Sequence, residues 1–161
     1  MRKLLIVDDS KVMRDMVAAC LRPLEGVSFE FAASGLEAIE RLSLNDFALV
    51  VLDLNMPDVG GLEVVEFVRA QDRLKTLPIL VVTSRGDESS RRGVLDRGAS
   101  AFMTKPFTPD ALLGEARSLL WQRVAEELGP KLGVVVFPEG TRYSPARRAA
   151  AIDKLRARGD T

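Results

Sequence analysis

Histidine is absent from the 161 residues. That absence removes Ser-His-Asp and Cys-His catalysis, histidine metal sites and an internal histidine phosphodonor. Any chemistry must run on carboxylates, hydroxyls, Lys and Arg. Cysteine is almost absent too: Cys20 is the single one, so no internal disulfide forms, and a reducing cytoplasm is the expected compartment. Cys20 sits among apolar residues and reads as a core position. There is no excess charge of either sign, since Lys+Arg and Asp+Glu both number 23. A neutral chain is not the profile of a general nucleic-acid binder, and no nucleic-acid partner is expected. No apolar run approaches the roughly 18 residues of a membrane span. Near the N-terminus the apolar part, 4–7, is too short for a signal peptide before Asp8-Asp9 interrupts it. What remains is 47% hydrophobic and 29% charged, the balance of one globular domain or a domain with an appendage.

Short apolar runs alternate with amphipathic stretches along 3–123. Leu4-Leu5-Ile6-Val7 reads as a buried strand. Ser10 offers a helix N-cap, Val12, Met13, Met16, Val17, Cys20 and Leu21 follow at helical spacing, and Pro23 marks the stop. Residues 27–31 alternate like a strand. Ser34 caps a second helix with Leu36, Ile39 and Leu42 on one face. A buried strand at 47–52, a loop at 57–61 and a helix carrying Leu62, Val65 and Val68 come next. A strand at 78–82, a polar helix over about 87–97, a short strand at 101–103 and a helix from about Thr108 complete the series. That last helix holds Leu112, Leu113, Ala116, Leu119 and Leu120. Five strands alternating with five helices predict an α/β fold, a parallel sheet covered on both faces. In such open sheets ligands bind beyond the carboxyl ends of the strands.

The polar residues at those ends form a coherent set. Asp8 and Asp9 end the first strand, Asp53 the third and Thr83 the fourth, and Lys105 follows the fifth. Taken singly, Asp9 or Ser10 is an ordinary helix cap and Thr83 an ordinary strand-end hydroxyl. Together they converge on one rim. Three close carboxylates repel unless a cation neutralises them. With no His or Cys beside them the donors are all oxygen, which favours Mg²⁺ over zinc or copper. The arrangement suits phosphoryl transfer to a carboxylate, with Asp53 as nucleophile. Mg²⁺ would be held by Asp9, Asp53 and the backbone carbonyl of Asn55, with Asp8 acting through water. Lys105 and Thr83 would clasp the remaining phosphoryl oxygens.

The motifs Val7-Asp8-Asp9-Ser10, Val51-Leu52-Asp53-Leu54-Asn55-Met56-Pro57, Gly60-Gly61-Leu62, Val81-Val82-Thr83-Ser84 and Lys105-Pro106-Phe107 follow one another in order. By these the stretch 1–123 resembles a response-regulator receiver domain of the chemotaxis-regulator type. The resemblance implies a doubly wound, flavodoxin-like sheet of order 2-1-3-4-5 and a cis Lys105-Pro106 bond. It also implies a switch: Thr83 moves toward the phosphate, Phe102 follows inward, and the surface of helix four, strand five and helix five changes. For Phe102 a plain core role is the alternative. Arg85 and Asn55 occupy positions where the family tunes phosphate lifetime. The phosphodonor must be a separate histidine kinase or histidine phosphotransfer protein. A flavin binder would want a Ser/Thr/Gly-rich loop where Asp8-Asp9 stands, and a haloacid-dehalogenase-type phosphatase an Asp-x-Asp pair that the chain lacks.

The remainder, 124–161, reads as a separate extension. Residues 132–137 have the pattern of a strand and 138–141 that of a turn. Ser144 and Pro145 open a basic helix over 146–158, stopped by Gly159. Phe137-Pro138-Glu139-Gly140-Thr141-Arg142 resembles a motif of glycerolipid acyltransferases, in which Glu139 and Arg142 would match residues that bind glycerol phosphate. Those enzymes also depend on a His-x-x-x-x-Asp motif, so the resemblance fails as catalysis. The chain is therefore read as a phosphoacceptor rather than an enzyme. An acyltransferase fragment and an interaction or homodimerisation module are the competing readings of the tail. The basic helix is most simply a solvated face, with membrane contact not expected.

Overall fold

The computed structural model describes residues 2–132 other than 58 and 85, with side chains to 125. Strands β1 (Arg2–Val7), β2 (Val27–Ala32), β3 (Leu49–Leu52), β4 (Ile79–Thr83) and β5 (Ala101–Thr104) alternate with five helices. These are α1 (Lys11–Leu21), α2 (Gly35–Leu44), α3 (Gly61–Ala70), α4 (Glu88–Asp96) and α5 (Pro109–Leu132). All strand pairs are parallel, in the order β2-β1-β3-β4-β5. The expected α/β sheet order is therefore the one observed.

The central strands are buried along their length: β3 and β4 throughout, β1 from Leu4 onward. Such a strand must be apolar on both faces, which is why these runs do not alternate. One core cluster joins Leu5, Val7, Val50, Leu52, Ile79 and Val81 to Val64, Val65 and Val68 of α3. The helix starts are set locally. Ser10 Oγ accepts from the Met13 N–H at 3.3 Å and Ser34 Oγ from the Glu37 N–H at 3.1 Å, satisfying amides that have no partner inside the helix.

The chain divides into two units, Met1–Ala116 and Arg117–Thr161, with the division falling inside α5. The described part of the second unit, 117–132, is helical.

Three expectations need correction. Val12 and Met16 are 73% and 47% exposed, and α1 instead buries Val17, Ala18 and Leu21. Leu36 is likewise 52% exposed, and Ala38 with Leu42 takes the inner face of α2. Alanines are part of these buried faces, and periodicity read from large side chains misses them. Cys20 is half-buried rather than a core position. In the tail, α5 continues to Leu132, so the strand expected over 132–137 does not begin there. Residues 117–128 are mostly good helix formers, and helix continues through them into Gly129-Pro130. The expected turn, Glu139, Arg142, the Ser144 cap and the basic helix lie outside the described residues, as does Arg85.

Candidate functional site

Parallel pairing puts the carboxyl ends of all five strands on one rim. Asp8 follows β1, Asp53 follows β3, Thr83 closes β4 and Lys105 follows β5. Backbone bonds lock these ends together. The Asp53 N–H donates to the Val7 carbonyl at 3.0 Å, and the Lys105 N–H to the Thr83 carbonyl at 2.8 Å. The Lys105-Pro106 bond is cis. Gly61 lets the loop after Asp53 close tightly, because a Cβ there would come within 2.5 Å of the Asp53 carbonyl oxygen.

The side chains meet. Carboxylate oxygens of Asp8, Asp9 and Asp53 lie within 4.8 Å of one another, with Asp8 and Asp53 buried and Asp9 exposed. Lys105 Nζ is 3.0 Å from Asp8 Oδ2 and 3.9 Å from Asp53 Oδ1. The lysine is thus a partner of Asp8 first. Asp53 Oδ1 is buried and has no hydrogen-bond partner, a costly condition for a carboxylate. Burial pushes the Asp53 carboxyl above its ordinary value, Lys105 pulls it back, and the neighbouring Asp8 and Asp9 push it up further. Asn55 Nδ2 stands 3.5 Å from both Thr83 Oγ1 and Ser84 Oγ, and Thr83 is fully buried. Phe102 is partly buried against the core cluster.

These residues fit a hard divalent cation. The donors are all oxygen, they are close enough to share one ion, and a buried carboxylate oxygen awaits a partner.

Two features of the rim were not legible in sequence. Arg14, in the second turn of α1, donates from Nη1 to the backbone carbonyl of Asp8 at 2.7 Å. Its six-residue separation from Asp8 carries no signal apart from the fold. Asp8 Oδ1 accepts from the Ser10 N–H at 2.9 Å, so the second acid of the Asp8-Asp9 pair is the freer one.

A response regulator receiver domain family model matches residues 4–117. The chain belongs to that family. Receiver domains are the switches of two-component signal transduction rather than classical enzymes. Among relatives of this receiver, the chemotaxis protein CheY1 of Helicobacter pylori is 39% identical over 111 residues, covering 68% of this chain and 90% of its own. Response regulator MprA of Mycobacterium is 37% identical over 135 residues, 84% of this chain. The aligned stretch spans 57% of MprA. Among solved structures, CheY4 of Vibrio cholerae is 35% identical, with a TM-score of 0.68 over 74% of this chain and 98% of its own. These matches lend no support to the acyltransferase resemblance of the tail. Among the described residues of the receiver chain, no helix is long and apolar enough to cross a membrane.

Proposed function

We propose that this receiver is switched by phosphorylation of Asp53. The observation carrying the reading is Asp53 Oδ1: a buried carboxylate oxygen with no hydrogen-bond partner, beside two further carboxylates and Lys105. An oxygen so placed is poorly solvated, so it is a better nucleophile than a surface carboxylate. Asp53 attacks phosphorus, the donor's bond to phosphorus breaks, and the electron pair leaves with the donor. Because the chain has no histidine, a histidine kinase or histidine phosphotransfer protein supplies the group, and a cytoplasmic location goes with that reading.

Asp8, Asp9, Asp53 and the backbone carbonyl of Asn55 are the groups that would hold Mg²⁺. Bound there, the ion supplies positive charge against the oxygens of the transferred group. Lys105 takes up one phosphoryl oxygen, and the Thr83 hydroxyl another. Lys105 is already the counter-charge of Asp8, so its swing toward Asp53 loosens the 3.0 Å contact it leaves.

The face of α4, β5 and the start of α5 is the output that we assign to this swing, with Phe102 following Thr83 inward. What supports it is the weak anchoring of α4. Among the described residues, Val94 is the one α4 side chain that is buried. A cleft of about 320 Å³ lies between α3 and α4, lined by Leu62, Ser90 and Val94 among others. The far end of α4 is tied down: Arg97 reaches Glu66 at 2.8 Å, and Arg69 donates to the Gly98 carbonyl at 2.8 Å. The helix is therefore tied at its C-terminal end to side chains of α3, while one of its side chains is buried, an anchoring that suits a re-packing element.

We take 1–123 as the receiver and 124–161 as an appendage. Homodimerisation through the appendage is tested by sedimentation of the full chain.

The direct test incubates the full chain with Mg²⁺ and a small phosphodonor such as acetyl phosphate, then measures intact mass. One added phosphoryl group is expected on the wild type and none on Asp53→Asn. An unlabelled wild type, or equal labelling of the variant, defeats the reading.

A further inference from the structure

The Asp8-Asp9 pair sits where a strand ends and a helix begins, and the two must hold their carboxylates together against repulsion. Every polar atom of Asp8 is occupied. Its N–H donates to the Ala32 carbonyl at 3.1 Å. Its carboxylate takes the Ser10 N–H and Lys105 Nζ. Its backbone carbonyl takes the guanidinium of Arg14 at 2.7 Å. Among these, the Arg14 contact is the one made by a charged side chain to the backbone.

That choice of atom matters. Lys105 already occupies one carboxylate oxygen of Asp8, and a second cation on a carboxylate of Asp8 or Asp9 would compete with a metal for the remaining lone pairs. A guanidinium on the carbonyl brings positive charge to the same residue from behind and leaves the carboxylate oxygens facing the rim. A charge-assisted bond of this kind is short and directional. On the neighbouring α2, the Glu37 carboxyl is held below its ordinary value by the Ala33 N–H first and then by Arg41, with a smaller contribution from the charge of Arg14. Glu37 is fixed in turn by accepting from the Ala33 N–H at 3.1 Å and from Arg41 Nη2 at 3.2 Å. The β1–α1 turn is tied to β2 through the Asp8 N–H and to α1 through Arg14.

We infer that Arg14 is a positioning residue for the divalent-cation site: its bond to the Asp8 carbonyl orients the Asp8 and Asp9 carboxylates and offsets their repulsion before the ion arrives. This rests on the reading of the acidic rim as a Mg²⁺ site. Arg14 touches neither the ion nor the phosphoryl group. Its loss raises the Mg²⁺ concentration required and leaves the chemistry at saturating Mg²⁺ intact. Groups that orient ligands from behind typically change metal affinity by roughly 10- to 100-fold. With one bond at stake the lower figure applies, roughly tenfold.

The test is calorimetric titration of the full chain with MgCl₂, for the wild type, Arg14→Met and Arg14→Lys. Methionine keeps an aliphatic stem of similar length and removes both donor and charge. Lysine restores a cationic donor. The expected result is a Kd about tenfold weaker for Arg14→Met, with Arg14→Lys in between. Acetyl-phosphate labelling of Arg14→Met should return to the wild-type rate once Mg²⁺ is raised well above the new Kd. A Kd for Arg14→Met within about twofold of the wild type overturns the inference, as does a labelling defect that saturating Mg²⁺ leaves in place. If Arg14→Met does not fold, Arg14→Lys decides alone: a Kd more than about twofold weaker than the wild type at unchanged melting temperature supports the inference, and a Kd within about twofold overturns it. Absence of any Mg²⁺ binding by the wild type is a different failure, that of the metal site itself.

Discussion

Replacing Asp53 by Asn should make the metal-free protein more stable, although it destroys the proposed phosphoacceptor. Asp53 is 6% exposed, and the carboxylates of Asp8 and Asp9 lie within 4.8 Å of its own. At an effective dielectric of about 20, each such neighbour opposes the Asp53 charge by roughly 3.5 kcal/mol, and Lys105 at 3.9 Å favours it by roughly 4 kcal/mol. Lys105 is shared with Asp8, and the exposed Asp9 is screened by water, so both figures shrink in practice. A net penalty of about 1–2 kcal/mol is left on ionised Asp53 once desolvation is included. Asparagine keeps the shape and drops the charge. Its gain corresponds to a rise in melting temperature of about 5 °C for a domain of this size.

The pH dependence gives a second handle. A carboxyl raised in the folded state binds its proton more tightly there than in the unfolded chain. The penalty is therefore complete above the folded pKa and fades as pH falls through it toward the ordinary carboxylate value. Thermal melts in EDTA should show Asp53→Asn above the wild type near neutral pH, with the gap closing on acidification. Saturating Mg²⁺ should close it too, because the ion stabilises the wild type more than the variant. An Asp53→Asn protein that melts below the wild type without Mg²⁺, or a gap that widens in acid, would refute the reasoning.

Other substitutions test the rest of the rim. Lys105→Met leaves Asp8 facing Asp9 and Asp53 uncompensated; it should lower metal-free stability by roughly 2 kcal/mol in urea titrations, with part returned by Mg²⁺. Gly61→Ala forces a Cβ to within 2.5 Å of the Asp53 carbonyl and 2.8 Å of Leu54 Cα, both backbone atoms. It should cost about 1–3 kcal/mol and slow acetyl-phosphate labelling. Arg69→Met removes donors from the Gly98, Leu74 and Lys75 carbonyls. Amide exchange over 96–100 should accelerate, with a stability loss of about 1–3 kcal/mol.

Much of the fold could be read from the chain because the buried strands have no room for polarity. Leu4-Leu5-Ile6-Val7 and the run ending at Leu52 are apolar on both faces, and the first polar residue after each marks the rim. Helix faces were harder. Val12, Met16 and Leu36 match a 3.6-residue period yet are exposed, while Ala18 and Ala38 are among the residues buried on α1 and α2.

By itself, then, the sequence determined which chemistry was available and where along the chain it stood: no histidine, acids after β1 and β3, a hydroxyl at the end of β4, a lysine after β5. The parallel order β2-β1-β3-β4-β5 turned those separate positions into neighbours. Only the tertiary structure decided the partnerships among them. Lys105 rests on Asp8 rather than Asp53, Asp53 Oδ1 is left without a hydrogen bond, and Arg14 grips the Asp8 carbonyl. Each outcome depends on distances across elements far apart in sequence, where a difference of about 1 Å changes which charge pair dominates. Local pattern carries no information on that scale.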